Sequence, residues 1–195
     1  CPFKLAQSSG TPIRALNYME LVKDKIDYRV YSLDGYNNTI KVPKGFIPFN
    51  LSLFFKLRRY SPNVIHVLHT SSVLCVFLYR LINPKVKIIF DYQGVSKYEM
   101  EKYKIKKQIY NFLDWLNIKL ADHIIAVSTS LKDYAVDHYG KDESAITVMW
   151  GPVDFDIFKF YQPKKSKQFT VCYSGNDSFW QGIPVLLDSI KLLKG

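Results

Sequence analysis

Short continuous apolar runs alternate along this chain with longer stretches in which apolar positions recur at helical spacing. YRVYSL (Tyr28–Leu33), VIHVLH (Val64–His69), KIIFD (Lys87–Asp91), IIAVS (Ile124–Ser128) and ITVMW (Ile146–Trp150) are rich in β-branched and aromatic residues and read as strands, with a shorter one around Thr39–Val42. Between them, Ile13–Val22, Asn50–Tyr60, Ser71–Ile82, Lys97–Leu120 and Ser130–Tyr139 carry the helical pattern. Pro43, Gly45 and Pro48 break the chain ahead of the second helix. Ser61-Pro62-Asn63 ends it, because proline disfavours helix at the residue before it. Gly140 stops the last of these helices. Strands that read as Val/Ile runs, separated by helices, predict a doubly wound α/β domain with a parallel sheet covered on both faces.

After Gly151 the pattern lapses. Pro152–Gln168 holds the basic cluster Lys164-Lys165-Ser166-Lys167 and no clear period, and reads as a linker. Phe169–Tyr173 then begins a new strand and Ile183–Leu193 a new helix. One βα unit cannot bury its own apolar face, so the expected organisation is a first domain over 1–151, a linker over 152–168 and the start of a second domain over 169–195. The chain opens at Cys1 and stops at Gly195 directly after a helical pattern, and is expected to be a piece of a longer protein whose first strand is cut short. With 48% hydrophobic and 23% charged residues it has the composition of a globular chain, which excludes disorder for most of its length. The net charge of +10 is uneven: residues 1–100 hold 14 basic and 6 acidic side chains. No run reaches the roughly 20 apolar residues needed to span a bilayer, since Val73–Tyr79 is interrupted by Arg80, and no signal peptide opens the chain. A cytoplasmic protein is expected, peripheral on the membrane if attached at all. Cys1, Cys75 and Cys172 fit no zinc spacing and no disulfide framework, and read as free thiols.

In open α/β sheets ligands bind beyond the carboxyl ends of the strands. The first such loop is Ser8-Ser9-Gly10-Thr11-Pro12, in which Thr11 is expected to cap the next helix, Pro12 to occupy its first turn and Gly10 to let a ligand approach the backbone, with Arg14 one turn in. An ordinary capped helix start is the plainer alternative. The dinucleotide fingerprint GxGxxG is absent. His66 and His69 resemble a metal pair, but three residues apart on a strand they point to opposite faces, so no metal site is expected. His66 is expected to pack within the sheet, and His69, at the strand end, to contact substrate or cap a helix. Asp91 closes its strand ahead of Tyr92-Gln93-Gly94 and Glu99; it could hold a substrate hydroxyl, act as a base or serve as a turn residue. Two helices carry mixed basic and apolar faces. In the Lys97–Leu120 helix, Ile105, Ile109, Phe112, Leu113, Leu116 and Leu120 form one stripe, expected to pack on the sheet with the lysines solvated. Phe46–Arg59 is the better candidate for contact with an anionic membrane or a lipid acceptor. No nucleic-acid motif accompanies the charge, so nucleic acid is not an expected partner.

Several local patterns, in this order and spacing, resemble the GT-B glycosyltransferases, and glycosyltransferase family 4 most closely. They are SGTPIRA (Ser9–Ala15), VIHVLHTSS followed by KIIFDYQG, ADHIIAVSTSLKDY (Ala121–Tyr134), ITVMWGPVDFDIF (Ile146–Phe158) and FTVCYSGNDSFWQGIPVLLDSI (Phe169–Ile190). The resemblance covers nearly the whole chain. It implies a Rossmann-like N-terminal acceptor-side domain followed by the first βα unit of a second Rossmann-like domain that holds a nucleotide-sugar donor, a UDP- or GDP-sugar. The implied reaction transfers the sugar to a glycan or lipid-linked acceptor with retention, in cell-surface polysaccharide synthesis, with no further cofactor.

Carried over by residue, the resemblance places Gly10, Thr11, Arg14, Gly175, Asn176, Gln181 and Gly182 on the donor, Asp91 at the catalytic position where many members have a His, and His69 and Glu99 on the acceptor side. The chain departs from the family where two cations usually grip the diphosphate: Asn176 and Gln181 stand there. Its hinge reads Trp150-Gly151-Pro152-Val153-Asp154, without the usual Asn. The acidic E-x7-E motif does not occur within these residues, so the piece alone is expected to be inactive. Two other readings are a non-catalytic glycosyltransferase-like or sugar-binding subunit and a GT-B sugar-nucleotide epimerase.

Overall fold

A computed structural model describes residues 10–36, 39–151, 170–175 and 181–192. Its elements in order are α1 (Gly10–Val22), β1 (Tyr31–Ser32), β2 (Ile40–Lys41), α2 (Phe46–Tyr60), β3 (Val64–Val67), α3 (Val73–Ile82), β4 (Lys87–Tyr92), α4 (Ser96–Glu99), α5 (Lys104–Leu120), β5 (His123–Ala126), α6 (Thr129–Tyr139), β6 (Ile146–Val148) and α7 (Ile183–Leu192), with 3-10 turns at Thr70–Ser72 and Glu143–Ala145. The chain divides into two compact units, Cys1–Pro152 and Val153–Gly195.

The first unit holds the sheet. Its four strands run in the order β3-β4-β5-β6 and every pairing is parallel, with Val64 opposite Lys87, Ile89 opposite His123 and Ile124 opposite Ile146. A separate parallel pair joins Tyr31 to Ile40. This is the predicted α/β architecture, a Rossmann-like parallel sheet flanked by helices. The expected strands are there, and most are shorter at their ends than the apolar runs that encode them.

Because side chains alternate across a strand, each strand presents two different surfaces. Ile65, Val67, Ile88, Phe90, Tyr92, Ile124 and Ala126 point to one face and join Val76, Tyr79 and Ile118 in a single buried core. The opposite face carries His66, Ile89 and Asp91. Here α1 packs, burying Ala15 and Met19 against Tyr28, Val30 and Leu68.

The structure corrects several boundaries. α1 starts at Gly10 and α2 at Phe46, upstream of the predicted starts. Pro12 and Pro48 each sit in a first turn, where the missing N–H has no helical partner to lose, so Pro48 belongs to α2 and does not precede it. The single helix predicted over Lys97–Leu120 is two helices: Met100 closes α4 through its N–H to the Ser96 carbonyl, 3.1 Å, and Tyr103 re-enters in extended geometry before α5. The expected α5 stripe is also shifted. Leu113, Asp114, Asn117 and Ile118 are buried, whereas Ile105, Ile109 and Phe112 are 78%, 50% and 54% exposed. Among the described residues the first half of α5 is mostly exposed, and the helix is buried only from Leu113 onward.

In the second unit, 170–174 forms no strand, against the expectation for Phe169–Tyr173. A strand requires a neighbour for its backbone groups, and none pairs with it among the described residues. α7 follows the predicted bounds closely, and none of its residues is buried. The linker 152–168, Phe169 and the hinge residues Pro152-Val153-Asp154 lie outside the described residues.

Asp122, just ahead of β5, fastens the amino end of the sheet. Its carboxylate accepts from the Ile88 N–H at 2.8 Å and from Arg80 at 2.8 and 3.3 Å, while Lys87 stands 3.6 Å away. The Arg80 hydrogen bond leads the causes that hold its pKa down at about 2. Because the folded value lies below the ordinary one, its contribution is complete above about pH 4 and is lost as pH falls towards about 2. Asp122→Asn is therefore expected to cost about 1–2 kcal/mol at pH 7. In urea melts the gap to wild type should close between pH 4 and pH 2; a gap that stays constant over that range removes this assignment.

Candidate functional site

Arg14 and Tyr18 are four residues apart on α1 and so share one side of the helix, the side that lies on the face of β3 and β4 bearing His66 and Asp91. Arg14 Nε donates to Asp91 Oδ2 at 2.8 Å, an ion pair whose residues are only 5% and 2% exposed. Arg14 Nη2 donates to the Met149 carbonyl at 3.2 Å, just past β6, and the guanidinium carbon lies 5.1 Å from the centre of the Tyr18 ring. One turn earlier, Thr11 Oγ1 donates to Gln93 Oε1 at 2.7 Å. The amino-terminal turns of α1 are thereby tied to the segments that leave β4 and β6. This is the carboxyl-end rim where an open α/β sheet takes its ligand.

The pair is incompletely satisfied. Arg14 Nη1, Asp91 Oδ1 and Gln93 Nε2 are buried without a hydrogen-bond partner of good geometry, and the buried Tyr18 hydroxyl interacts with both Asp91 and Arg14 without making one. Buried polar atoms are almost always partnered, so this cluster holds donors and acceptors in reserve. A hydroxyl group can accept from Nη1 and donate to Oδ1 at once, which neither a carbonyl nor an ammonium can do. Burial, with Asp91 second, raises the Tyr18 pKa, so the phenol stays protonated.

His66 meets the Tyr18 ring edge-on, 4.9 Å between centroids, and both line a cavity of about 780 Å³ bounded by α1, α2, β3 and 26–31. Its ring is reachable from that cavity yet surrounded by protein, and burial lowers its pKa. His69 uses Nδ1 to accept from the Ser71 N–H at 3.2 Å and caps the 3-10 turn, one of its two expected roles. Burial brings its pKa down to about 4, so it is neutral at physiological pH. The two imidazoles therefore bring no positive charge, and no cluster among the described residues could hold a metal ion.

The other sequence candidates fall as follows. Gly10 opens α1 with free space around its α-carbon. Thr11 does not cap the helix as expected, because it lies inside the first turn and its hydroxyl reaches Gln93. Arg14, expected as a cation for the donor, has its charge matched by Asp91. Glu99 ends α4 with its carboxylate against Gly94, and partial burial raises its pKa. Gly175, Gln181 and Gly182 belong to the second unit. A side chain at Gly175 would collide with the Tyr173 ring, 2.3 Å from its hydroxyl oxygen, and Gly182 has φ +72° where its carbonyl begins the bonding of α7. Gln181 is exposed, and Asn176 lies outside the described residues.

Tyr18, Gln93 and Met149 had no mark in the sequence beyond proximity to strand ends and helix starts. Neither did Asp114 and Asn117, although two polar residues inside an apolar helical stripe are a usable signal of a buried polar network.

The sequence profile of Glycosyltransferase Family 4 matches residues 19–157. No curated protein matches the chain.

Removing one member of a buried ion pair leaves the other charge without compensation, at a cost of about 3–5 kcal/mol, whereas replacing both with apolar groups of similar size can be neutral. Asp91→Asn is thus expected to lower stability by that amount. Arg14→Met/Asp91→Leu should be more stable than either single variant in denaturant titrations. Simple addition of the two losses would show that the side chains do not interact.

Proposed function

The chain belongs to Glycosyltransferase Family 4, and from that membership we propose that it serves to move a sugar from a UDP- or GDP-sugar to a glycan or lipid-linked acceptor, with retention at the anomeric carbon. The observation that carries the finer reading is the Arg14–Asp91 pair at the end of β4, in which one donor atom and one acceptor atom are buried without a hydrogen-bond partner. Asp91 orients a sugar hydroxyl while Arg14 holds both Asp91 and that hydroxyl in place. Gly10 and Thr11, at the amino end of α1, approach the donor phosphates, where helix N–H groups and the helix dipole favour negative charge. Gly175, Asn176, Gln181 and Gly182 are the donor contacts this reading assigns to the second unit. His69 and Glu99 stand on the acceptor side.

The lipid-linked acceptor is supported by α5. Its exposed Ile105, Ile109, Phe112 and Trp115 lie among Lys102, Lys104, Lys106 and Lys107. Apolar side chains flanked by lysines match an anionic membrane surface, which attracts each cation with about 1 kcal/mol. The exposed Ile47, Leu51 and Phe55 of α2, ahead of Arg58 and Arg59, form a second such strip. No described helix is long and apolar enough to cross a membrane, so the attachment proposed is peripheral, on the cytoplasmic face.

A second reading, a sugar-binding subunit without turnover, is favoured by the neutral Gln181 and Asn176 at the places of two cations, since charge-assisted bonds to a diphosphate are about twice as strong as neutral ones. Full-length protein incubated with UDP- and GDP-sugars and membrane extract separates the two: transfer supports the enzyme, and saturable donor binding without transfer supports the subunit. In the enzyme, Arg14→Met/Asp91→Leu is expected to keep its fold and lose about 10²–10³-fold in kcat, the scale of one lost transition-state contact. Undiminished transfer by that double variant removes the pair from the site. On vesicles containing anionic lipid, Ile105→Glu/Phe112→Glu is expected to bind about tenfold more weakly than wild type. Equal binding assigns the contact elsewhere.

A further inference from the structure

Asp114 is a fully buried carboxylate on α5, outside the Arg14–Asp91 group. Its Oδ1 accepts from Thr70 Oγ1 at 2.7 Å and from Ser96 Oγ at 2.9 Å, and its Oδ2 accepts from the Ser96 N–H at 2.9 Å. Thr70 lies in the turn that follows β3, and Ser96 begins α4 after β4. One side chain therefore joins the loops that leave two neighbouring strands. Asn117, one turn further along α5, donates to the Thr70 carbonyl at 2.9 Å, and Asn50 of α2 donates to the Ser71 carbonyl at 3.0 Å and accepts from the Cys75 N–H at 3.0 Å. The turn capped by His69 is held from two helices, α5 and α2, and of these side chains Asp114 reaches both loops.

A carboxylate with no cation against it is a costly way to fill a core. None of the described hydrogen bonds to Asp114 comes from a cation; its partners are two hydroxyls and one amide. An isolated structural need for one acceptor could be met by Asn, which offers a single oxygen. Asp offers two, and Asp114 uses both, one for the Thr70 and Ser96 hydroxyls and one for the Ser96 amide. This division fits a group that fixes the separation of two loops.

We propose that Asp114 is a positioning residue that sets the loops after β3 and β4, and with them His69 and Glu99, in the geometry the acceptor side requires. The transfer part of this inference rests on the function proposed above; the loop part does not. In Asp114→Leu a side chain of similar size offers no acceptor, so the Ser96 N–H at the amino end of α4 and the Thr70 and Ser96 hydroxyls all lose theirs. Thr70→Val and Ser96→Ala each remove one donor and leave the carboxylate in place.

The protonation state gives a second readout. Burial raises the Asp114 pKa to about 6, and the titratable groups around it are Glu99 on α4, Tyr92 on β4 and Tyr139 on α6. Because the folded value exceeds the ordinary carboxylate value, folding favours the protonated form, and this contribution falls as pH rises from about 4 through about 6. The wild-type melting temperature relative to that of Asp114→Asn should fall over the same interval.

Amide hydrogen exchange on full-length protein tests the loop part directly. Asp114→Leu is expected to speed exchange at Ser96 and in the following turn of α4 at least tenfold, and at 70–72 severalfold, with β4 and β5 amides unchanged. Should that variant not fold, Thr70→Val and Ser96→Ala are expected to give smaller increases at the same places. Exchange unchanged at Ser96 in a folded Asp114→Leu protein, or raised equally across the sheet, overturns the proposal. Where wild type shows transfer, the variant should lose at least tenfold in kcat with the donor KM within twofold, and Asp114→Glu should recover less than half of the loss; loosened loops with full kcat overturn the positioning role. Wild type without any transfer counts against the proposed function alone, and exchange still decides the rest.

Discussion

The buried contact between Arg14 and Asp91 orders this domain and exposes its chemistry. Taking two charges out of water costs several kcal/mol for each ion after relaxation, and mutual attraction recovers this only when the remaining hydrogen bonds are made. Here they are partly made. Nε meets Oδ2, Nη2 meets the Met149 carbonyl and the Tyr18 ring lies under the guanidinium, but Nη1 and Oδ1 have no partner. A pair kept for stability alone would do better as two apolar side chains. The unsatisfied atoms lie at the carboxyl-end rim of the sheet, where the function proposed above places a sugar hydroxyl.

The same pair fixes the electrostatics of that rim. Arg14 and Asp91 sum to no net charge, and the desolvated imidazoles of His66 and His69 are neutral near pH 7. What the rim offers an anion is therefore hydrogen-bond donors and the amino end of α1. The cationic excess of residues 1–100 is carried largely on other surfaces, such as the end of α2 with Arg58 and Arg59. Charges on exposed surfaces are screened over about 8–10 Å in physiological salt. In the function proposed above, recognition of a sugar by oriented dipoles and attraction of a membrane by exposed lysines are thus separable properties of one domain.

The strands were legible because a parallel sheet buries long apolar runs, a signal that survives without knowledge of the partners. Asp91, Gly10, Thr11 and Arg14 were legible as site candidates from their place at strand ends and a helix start. Their connections were not. Arg14 meets Asp91 across 77 positions, and Asp114 meets Thr70 across 44; local spacing carries no trace of such pairs. The α5 stripe failed for a related reason. Helical periodicity shows that Ile105, Ile109 and Phe112 share a direction, but whether anything packs against them there depends on the rest of the fold.

Asp91 and Asp114 are both almost wholly buried, and their environments divide their roles. Asp91 faces a guanidinium, whose own charge does not titrate in the physiological range. Asp114 faces two hydroxyls and an amide, neutral donors that offset desolvation only in part, which leaves its pKa near 6. Either hydroxyl can rotate to accept a proton from the acid form, so protonation there requires no empty space. The rim of the sheet is therefore held in two ways: a fixed ion pair anchors α1 to β4, and a titratable carboxylate anchors the neighbouring loops. A change in pH across the range of Asp114 would act on the loops bearing His69 and Glu99.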